Sequence, residues 1–141
     1  MRLRHGAGIG LVVVLASLGA AAHAGVIGPQ PVPTVAIAIH YSRFSPSAVT
    51  VKEGSTVRFV ITNTDPIDHE FIVGNEALQQ AEEAGTDTVH DGSVPGEVSV
   101  PAGTTRSTTV SFPSNPITWV FACHLPGHYA YGMRGLIAIT S

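Results

Sequence analysis

Hydrophobic and polar residues alternate along most of the chain beyond residue 34, and this alternation predicts β-strands. Val57, Phe59 and Ile61, for example, alternate with the polar residues Arg58 and Thr62. A period of two places every second side chain on the same face of a strand. The segments are rich in Val, Ile and Thr and are separated by Gly and Pro, which is typical of strands joined by turns. The predicted strands are 35–41, 49–51, 57–61, 69–73, 98–100, 108–112, 117–123 and 136–140.

Turn signals between these segments predict how they are connected. Glu53-Gly54 predicts a tight turn joining two strands, and 101–103 (Pro-Ala-Gly) predicts another. Six to eight short strands at this spacing favour an all-β domain built as a β-sandwich. Within 117–123, alternate residues share one face: Ile117, Trp119, Phe121 and Cys123. Cys123 therefore continues an inward-facing row and is expected at the top of the core.

One segment, residues 74–96, departs from the alternation. Its first part predicts a short helical insertion around 75–84, with Asn75 as N-cap and Gly85 at the C-terminal end. Leu78 and Ala81 are expected on the buried side of this helix. The remainder is acidic and is interpreted as a solvated surface flap, with a partner-docking face or a cover over one end of a site as the alternative.

The first 24 residues predict a cleavable export signal rather than part of the fold. Arg2 and Arg4 form a basic start, 9–18 is apolar, and 22–24 (Ala-His-Ala) is a small-x-small cleavage site. The apolar run is too short for a comfortable membrane-spanning helix, although an uncleaved anchor is the alternative. We therefore expect a periplasmic or secreted chain, without a membrane span after cleavage, in which 25–141 forms one domain.

Composition narrows the class of partner. The formal net charge is −3, and loss of Arg2 and Arg4 with the signal makes it −5. Phosphate binding requires a basic patch, so we expect no nucleic-acid partner. A mature chain of 117 residues is enough for one domain with a core but not for two. The acidic balance suits a basic or mixed-charge protein partner.

The chemically distinctive segment is 123–133, CHLPGHYAYGM. It contains the only Cys of the chain, Cys123, followed at fixed spacing by His128 and Met133. A single Cys in an exported protein has no internal disulfide partner, so a metal is the simplest group to hold it. Zinc sites use Cys, His and carboxylates but rarely Met, whereas copper accepts all three donors of this segment. A trigonal copper site needs a second imidazole, for which His69 is the best candidate.

These residues resemble the cupredoxins, the blue-copper family of azurin, plastocyanin and rusticyanin. The Cys-x-x-Pro-Gly-His core is similar to azurin, the His-x4-Met spacing is similar to plastocyanin and rusticyanin, and the likeness covers about 35–141. The resemblance implies a Greek-key β-sandwich that binds one type 1 copper. The implied metal ligands are His69, Cys123, His128 and, as the axial donor, Met133.

The resemblance also implies a function. It predicts a monomeric one-electron carrier, not an enzyme, that exchanges electrons with redox protein partners through His128, the exposed ligand. The first alternative is a copper-binding, trafficking or copper-resistance protein with a more exchangeable site. An oxidase or reductase is a third possibility, but it requires a second copper centre, and Ala122 before Cys123 argues against one.

Four further residues are candidates for ligands or neighbours of the metal. His124 is expected to point away from Cys123, and His40 is interpreted as an ordinary surface or half-buried residue. His90, beside Asp91, could bind a second, labile ion. Glu70 stands where azurin and plastocyanin commonly have Asn. If it faced the metal it would lower the reduction potential, but the strand period predicts that it points away, to the surface or to a supporting position.

Overall fold

The computed structural model describes residues 31–141 of the chain. The predicted signal peptide, 1–24, and its cleavage site lie outside the described residues. Within 31–141, no helix has the length and apolar character needed to cross a membrane. The described part contains nine strands and one helix: β1 (Thr34–His40), β2 (Arg43–Ser45), β3 (Ala48–Lys52), β4 (Thr56–Asn63), β5 (His69–Gly74), α1 (Glu76–Ala84), β6 (Glu97–Val100), β7 (Thr105–Ser111), β8 (Thr118–Ala122) and β9 (Arg134–Thr140).

The strands form two sheets, which confirms the predicted β-sandwich. One sheet has four strands in the order β2-β1-β4-β7, and the other has five in the order β3-β9-β8-β5-β6. Consecutive strands repeatedly change sheet, as in a Greek-key sandwich. The turn at Glu53-Gly54 joins β3 to β4, which lie in different sheets, so it is a corner of the sandwich. Gly54 has a φ of +64°, a left-handed conformation that glycine adopts without strain.

The strand count exceeds the predicted six to eight because β2 has only three residues, too few for alternation to reveal. The strand predicted over 117–123 is also shorter, since β8 covers Thr118–Ala122. Ile117 is 39 % exposed and does not join the inward row that includes Phe121. Ile117 precedes β8, Trp119 is half-buried and Phe121 is buried, so the row is enclosed only toward the end of the strand.

Aromatic side chains fill the space between the sheets. Phe71 of β5 and Phe121 of β8 have ring centroids 5.3 Å apart, and Phe44 and Phe59 pack against them edge-on or tilted. Gly135 of β9 makes room for this packing, since a Cβ there would lie 2.1 Å from Phe121 Cζ. Burial of such side chains stabilises the sandwich by roughly 1.5–3 kcal/mol each.

Helix α1 confirms the predicted helical insertion, but its buried side is different. The side chain of Asn75 accepts a hydrogen bond from the backbone N of Leu78 at 2.9 Å, as predicted for an N-cap. Ala81 is exposed and Leu78 is only half-buried, whereas Gln79 is fully buried. The Gln79 amide donates to the carbonyls of residues 72 and 120, in β5 and β8. The helix covers backbone acceptors, so a polar donor occupies the contact where the apolar pattern predicted a hydrophobic one.

Candidate metal centre

The first predicted ligand, His69, is placed by the start of β5 and by the polar loop before it. Its side chain is completely buried, and its Nε2 lies 2.9 Å from Asp65 Oδ2. The Asp65 carboxylate also accepts hydrogen bonds from the backbone N of Tyr41 and of Ser42, each at 2.7 Å. Asn63 accepts a hydrogen bond from the Asp65 backbone N at 2.9 Å. With Nε2 occupied by Asp65, Nδ1 is the nitrogen of His69 that remains for a metal.

The second predicted ligand, Cys123, directly follows β8 and lies at the end of the core. It is completely buried, and its Sγ accepts a hydrogen bond from the backbone N of Glu70 at 3.3 Å. This contact joins the sulfur to β5, so it couples the strand that carries His69 to the strand that carries Cys123. Burial raises the pKa of the Cys123 thiol to about 11. A metal that binds there must therefore displace a proton.

The third predicted ligand, His128, lies in a tight loop between Cys123 and Met133. The backbone N of His128 donates to Leu125 O at 2.9 Å, and the backbone N of Met133 donates to His128 O at 3.0 Å. The backbone N of Cys123 in turn donates to Met133 O at 3.1 Å, which closes the loop. Gly127, with a φ of +85°, permits the sharp turn before His128. The loop thus aims the ring of His128 at the sulfur.

Three of the four predicted ligands converge. His128 Nδ1 lies 3.2 Å from Cys123 Sγ and 3.3 Å from His69 Nδ1. The three donor atoms all lie within 4.8 Å of one another. Two imidazole nitrogens and one sulfur around one point match the trigonal donor set of a type 1 copper site. These residues therefore fit copper, and one ion at this point would use the free lone pairs of all three donor atoms.

Met133 is completely buried and is joined to both Cys123 and His128 through its backbone. Its place at the end of the ligand loop is consistent with an axial thioether, and axial ligation of copper by Met133 remains a prediction.

The two imidazoles differ in exposure. His69 is fully buried, whereas His128 is half-buried. Burial, together with the nearby ring of His69, lowers the pKa of His128, so this imidazole is held neutral and ready to coordinate. His128 is thus the most accessible of the three converging donors.

The sequence predicted that the side chain of Glu70 lies either at the surface or in a supporting position. The surface placement is wrong. Glu70 is 1 % exposed, and its Oε2 accepts a hydrogen bond from the backbone N of His124 at 3.2 Å. Its Oε1 faces His90 at 3.7 Å. Burial raises the pKa of the Glu70 carboxyl, although the charge of His90 opposes this shift. The backbone of Glu70 supports the sulfur, while its side chain points away from the three donor atoms, as the strand period predicted.

Other histidines lie outside this cluster. His124 contacts Glu83 with Nδ1 at 2.9 Å and Gln79 with Nε2 at 2.7 Å, so it points away from the centre as predicted. His40 is exposed and lies 3.0 Å from a hydroxyl, Thr64 Oγ1.

Sequence reasoning missed Asp65 as the partner of His69. Its spacing of four residues from His69 is the only signal, and a loop has no period that converts spacing into contact. For Asp65 itself, burial opposes ionisation, but hydrogen bonds from Ser42, Tyr41 and His69 lower the pKa of its carboxyl. A negatively charged carboxylate therefore sits behind His69, an arrangement that orients a metal-binding imidazole and raises its basicity.

Comparisons with known proteins agree with this centre. The chain is similar to the copper-resistant cuproprotein CopI of Rubrivivax gelatinosus, 38 % identical over 101 residues, covering 69 % of this chain and 59 % of that protein. It is also similar to CopI of Vibrio cholerae, 35 % identical over 88 residues, covering 60 % of this chain and 51 % of that protein. The chain thus spans between half and three fifths of the length of these two relatives.

A solved structure and a family profile complete the comparison. The auracyanin of Roseiflexus castenholzii superposes with a TM-score of 0.65 at 23 % identity, covering 79 % of this chain and all of that one, a likeness of fold. The profile of the copper-binding proteins of the plastocyanin/azurin family matches residues 34–140. The match includes both sheets and every residue of the centre, and the chain therefore belongs to the plastocyanin/azurin family of copper-binding proteins.

Proposed function

We propose that this protein is an exported, monomeric, mononuclear type 1 copper protein that carries single electrons. Copper is bound by His69, Cys123 and His128, with Met133 as the axial donor. The observation that supports this proposal most directly is the convergence of three donor atoms within 4.8 Å on buried, hydrogen-bonded backbone. A donor set held in this way changes little between Cu(II) and Cu(I), which keeps the reorganisation that accompanies electron transfer small.

The loop around His128 supports its role as the electron port. Pro126 and Tyr131 are exposed beside the half-buried imidazole, and Tyr131 is 80 % exposed. A redox partner that covers this loop would reach His128 without any opening of the sandwich. The other donors are enclosed, so we expect no substrate to reach the metal and propose that the protein is not an enzyme.

A second candidate, copper handling in resistance, is favoured by a different observation. The relatives from Rubrivivax gelatinosus and Vibrio cholerae, each named a copper-resistant cuproprotein, are 38 % and 35 % identical to the chain. In that role the protein would bind exported copper and pass it on, so the copper would have to exchange readily. The two functions differ in a measurable property, the rate at which copper leaves the loaded centre.

The experiment loads the exported chain with Cu(II) and follows two quantities. Electron carriage predicts one copper per chain in the centre, reversible voltammetry, and slow loss of the visible band to a chelator in excess. Copper handling predicts rapid transfer to the chelator in the native chain. The His128→Ala variant is the reference for fast copper loss, because it lacks the half-exposed donor. A native chain that loses copper as fast as His128→Ala would overturn electron carriage as the main role.

Export is tested separately. The basic start, the apolar run and the small-x-small site of 1–24 support cleavage by a Sec-type pathway. Mass spectrometry of the protein recovered from the periplasm or medium should give a chain that begins at Gly25. A recovered chain that retains Met1 would indicate an uncleaved anchor instead.

A further inference from the structure

A second cluster of donor atoms lies behind the copper centre, around His90. The Nε2 of His90 is 3.7 Å from Glu70 Oε1 and 3.7 Å from Glu82 Oε2. Its Nδ1 is 3.4 Å from Glu97 Oε2. Three carboxylates from β5, α1 and β6 therefore surround one imidazole.

The fold holds His90 in this place through its backbone. The backbone N of His90 donates to Ser99 Oγ at 2.9 Å, and the backbone N of Ser99 donates to His90 O at 2.9 Å. Ser99 pairs with Glu70 in the register of β6 and β5. The segment of the acidic insertion that carries His90 thus runs beside β6, and His90 is brought to Glu70 by strand pairing rather than by chance contact at the surface.

Two atoms of the cluster lack the partners that buried polar atoms normally have. Among residues 31–141, neither Glu70 Oε1 nor His90 Nε2 has a hydrogen-bond partner. Glu70 is 1 % exposed, and the side chain of His90 is 11 % exposed. A buried polar atom left unsatisfied typically costs about 1–3 kcal/mol. These two atoms face each other, so a single cation between them would satisfy both.

The distances favour a metal ion over a proton in that position. A direct hydrogen bond from an imidazole to a carboxylate oxygen spans roughly 2.7–3.2 Å, shorter than the two contacts of His90 Nε2. Donors about 2.0–2.2 Å from a tetrahedral ion lie roughly 3.3–3.6 Å from one another. The contacts of 3.7 Å to Glu70 and Glu82 are close to that spacing.

We propose that His90 Nε2, Glu70 and Glu82 bind a second metal, a divalent transition-metal cation of the Cu(II) or Zn(II) type, at a site distinct from the type 1 centre. Glu97 Oε2 lies 3.4 Å from the other ring nitrogen of His90, on the side where carboxylates orient metal-binding imidazoles. The site contains no sulfur, so Cu(I) is disfavoured, and imidazole with carboxylate suits Zn(II) and Cu(II).

Binding requires one movement. The three donor atoms are not all within 4.8 Å of one another, since the only such group among residues 31–141 is that of the copper centre. Glu82 lies on helix α1, and its side chain is 19 % exposed, so it is free to rotate toward Glu70. A surface cavity of about 460 Å³ is lined by Glu82, His90 and Glu97 and gives an ion access to the cluster.

The second site adjoins the first through Glu70. The backbone N of Glu70 donates to Cys123 Sγ, while its side chain belongs to the second site. A cation bound there places positive charge beside the thiolate, which stabilises Cu(I) relative to Cu(II). Occupancy of the second site should therefore raise the reduction potential of the copper centre.

The exported chain is loaded with Cu(II), and copper outside the type 1 centre is removed with a chelator followed by gel filtration, so that the second site starts empty. The chain is then titrated with Zn(II); elemental analysis after gel filtration measures the bound zinc, and calorimetry measures the affinity. The variants are His90→Asn and Glu82→Gln, and the control is Glu76→Gln, which removes the same charge from an exposed position on α1. We expect one zinc per native chain and per Glu76→Gln chain. Loss of an outer partner of a metal ligand already costs roughly 10–100-fold in affinity, so each of the two variants should weaken zinc binding at least tenfold.

Two outcomes would overturn the proposal. The first is the absence of zinc binding beyond the copper centre, which would leave His90 as a structural contact of the three carboxylates. The second is equal zinc binding by native and His90→Asn chains, which would place the ion elsewhere. The visible band reports the copper centre and should persist in all variants. The difference between native and His90→Asn chains reports the second site even in a preparation whose copper centre fails, so the two failures are distinguishable.

Discussion

Replacement of Asp65 by Asn is the sharpest test of how the protein supports its first copper ligand. Asp65 accepts three hydrogen bonds, from His69 Nε2 at 2.9 Å and from the backbone N of Tyr41 and of Ser42 at 2.7 Å. Asn has one acceptor oxygen, and its amide nitrogen would face at least one of these donors. The substitution therefore removes a negative charge and breaks a buried contact, while all four predicted ligands remain.

The distance between Asp65 and the copper centre sets the expected shift in reduction potential. An ion on His69 Nδ1 would lie roughly 6–7 Å from the Asp65 carboxylate, where one charge contributes about 2–3 kcal/mol at an effective dielectric constant near 20. For a one-electron couple this corresponds to a shift of about 100 mV. The sign is positive, because loss of a negative charge destabilises Cu(II) more than Cu(I). The unsatisfied donor should also lower the free energy of unfolding of the copper-free chain by about 1–3 kcal/mol.

Voltammetry of the copper-loaded chain measures the potential, and chemical denaturation of the copper-free chain measures the stability. Asp68→Asn is the matched control, since Asp68 is exposed in the same loop and accepts a hydrogen bond from the backbone N of Ala102 at 2.8 Å. Its charge is screened by solvent, so a much smaller shift is expected. Equal shifts in the two variants, or no shift in Asp65→Asn, would refute a specific role for the Asp65–His69 contact.

Four further outcomes are expected. Cys123→Ser should abolish the visible band, and a retained intense band would remove Cys123 from the site. Met133→Leu should keep the band but raise the potential, because the axial donor that favours Cu(II) is lost; an unchanged potential would mean that Met133 is not axial. Because burial raises the pKa of the Cys123 thiol to about 11, copper must displace its proton, so apparent affinity should rise about tenfold per pH unit between neutral pH and that value; competition titrations at pH 7 and 8 measure this, and a flat profile would contradict thiolate binding. Gly135→Ala places a Cβ 2.1 Å from Phe121 Cζ and should lower the free energy of unfolding by at least about 1–3 kcal/mol, measured by denaturation; wild-type stability would mean that the core repacks freely.

Local features of this protein followed from sequence because they depend on residues that are close along the chain. The alternation of Val57, Phe59 and Ile61 predicted β4, and the cap at Asn75 predicted the start of α1, since both are decided within a few residues. The spacing of Cys123 and His128 likewise predicted their contact, now seen at 3.2 Å, because a turn of four residues brings the two together.

Contacts between distant residues were decided only when the strands paired. The register of β5 with β6 and β8 sets Glu70 among His90, His124 and the sulfur of Cys123, each of which is at least 20 residues away along the chain. The alternation predicted which way the side chain of Glu70 points. It did not predict that α1 and the acidic remainder of 74–96 would cover this side chain and exclude solvent from it. A repeating pattern specifies the face of a strand, whereas the neighbours on that face are supplied by other segments whose docking depends on the whole core.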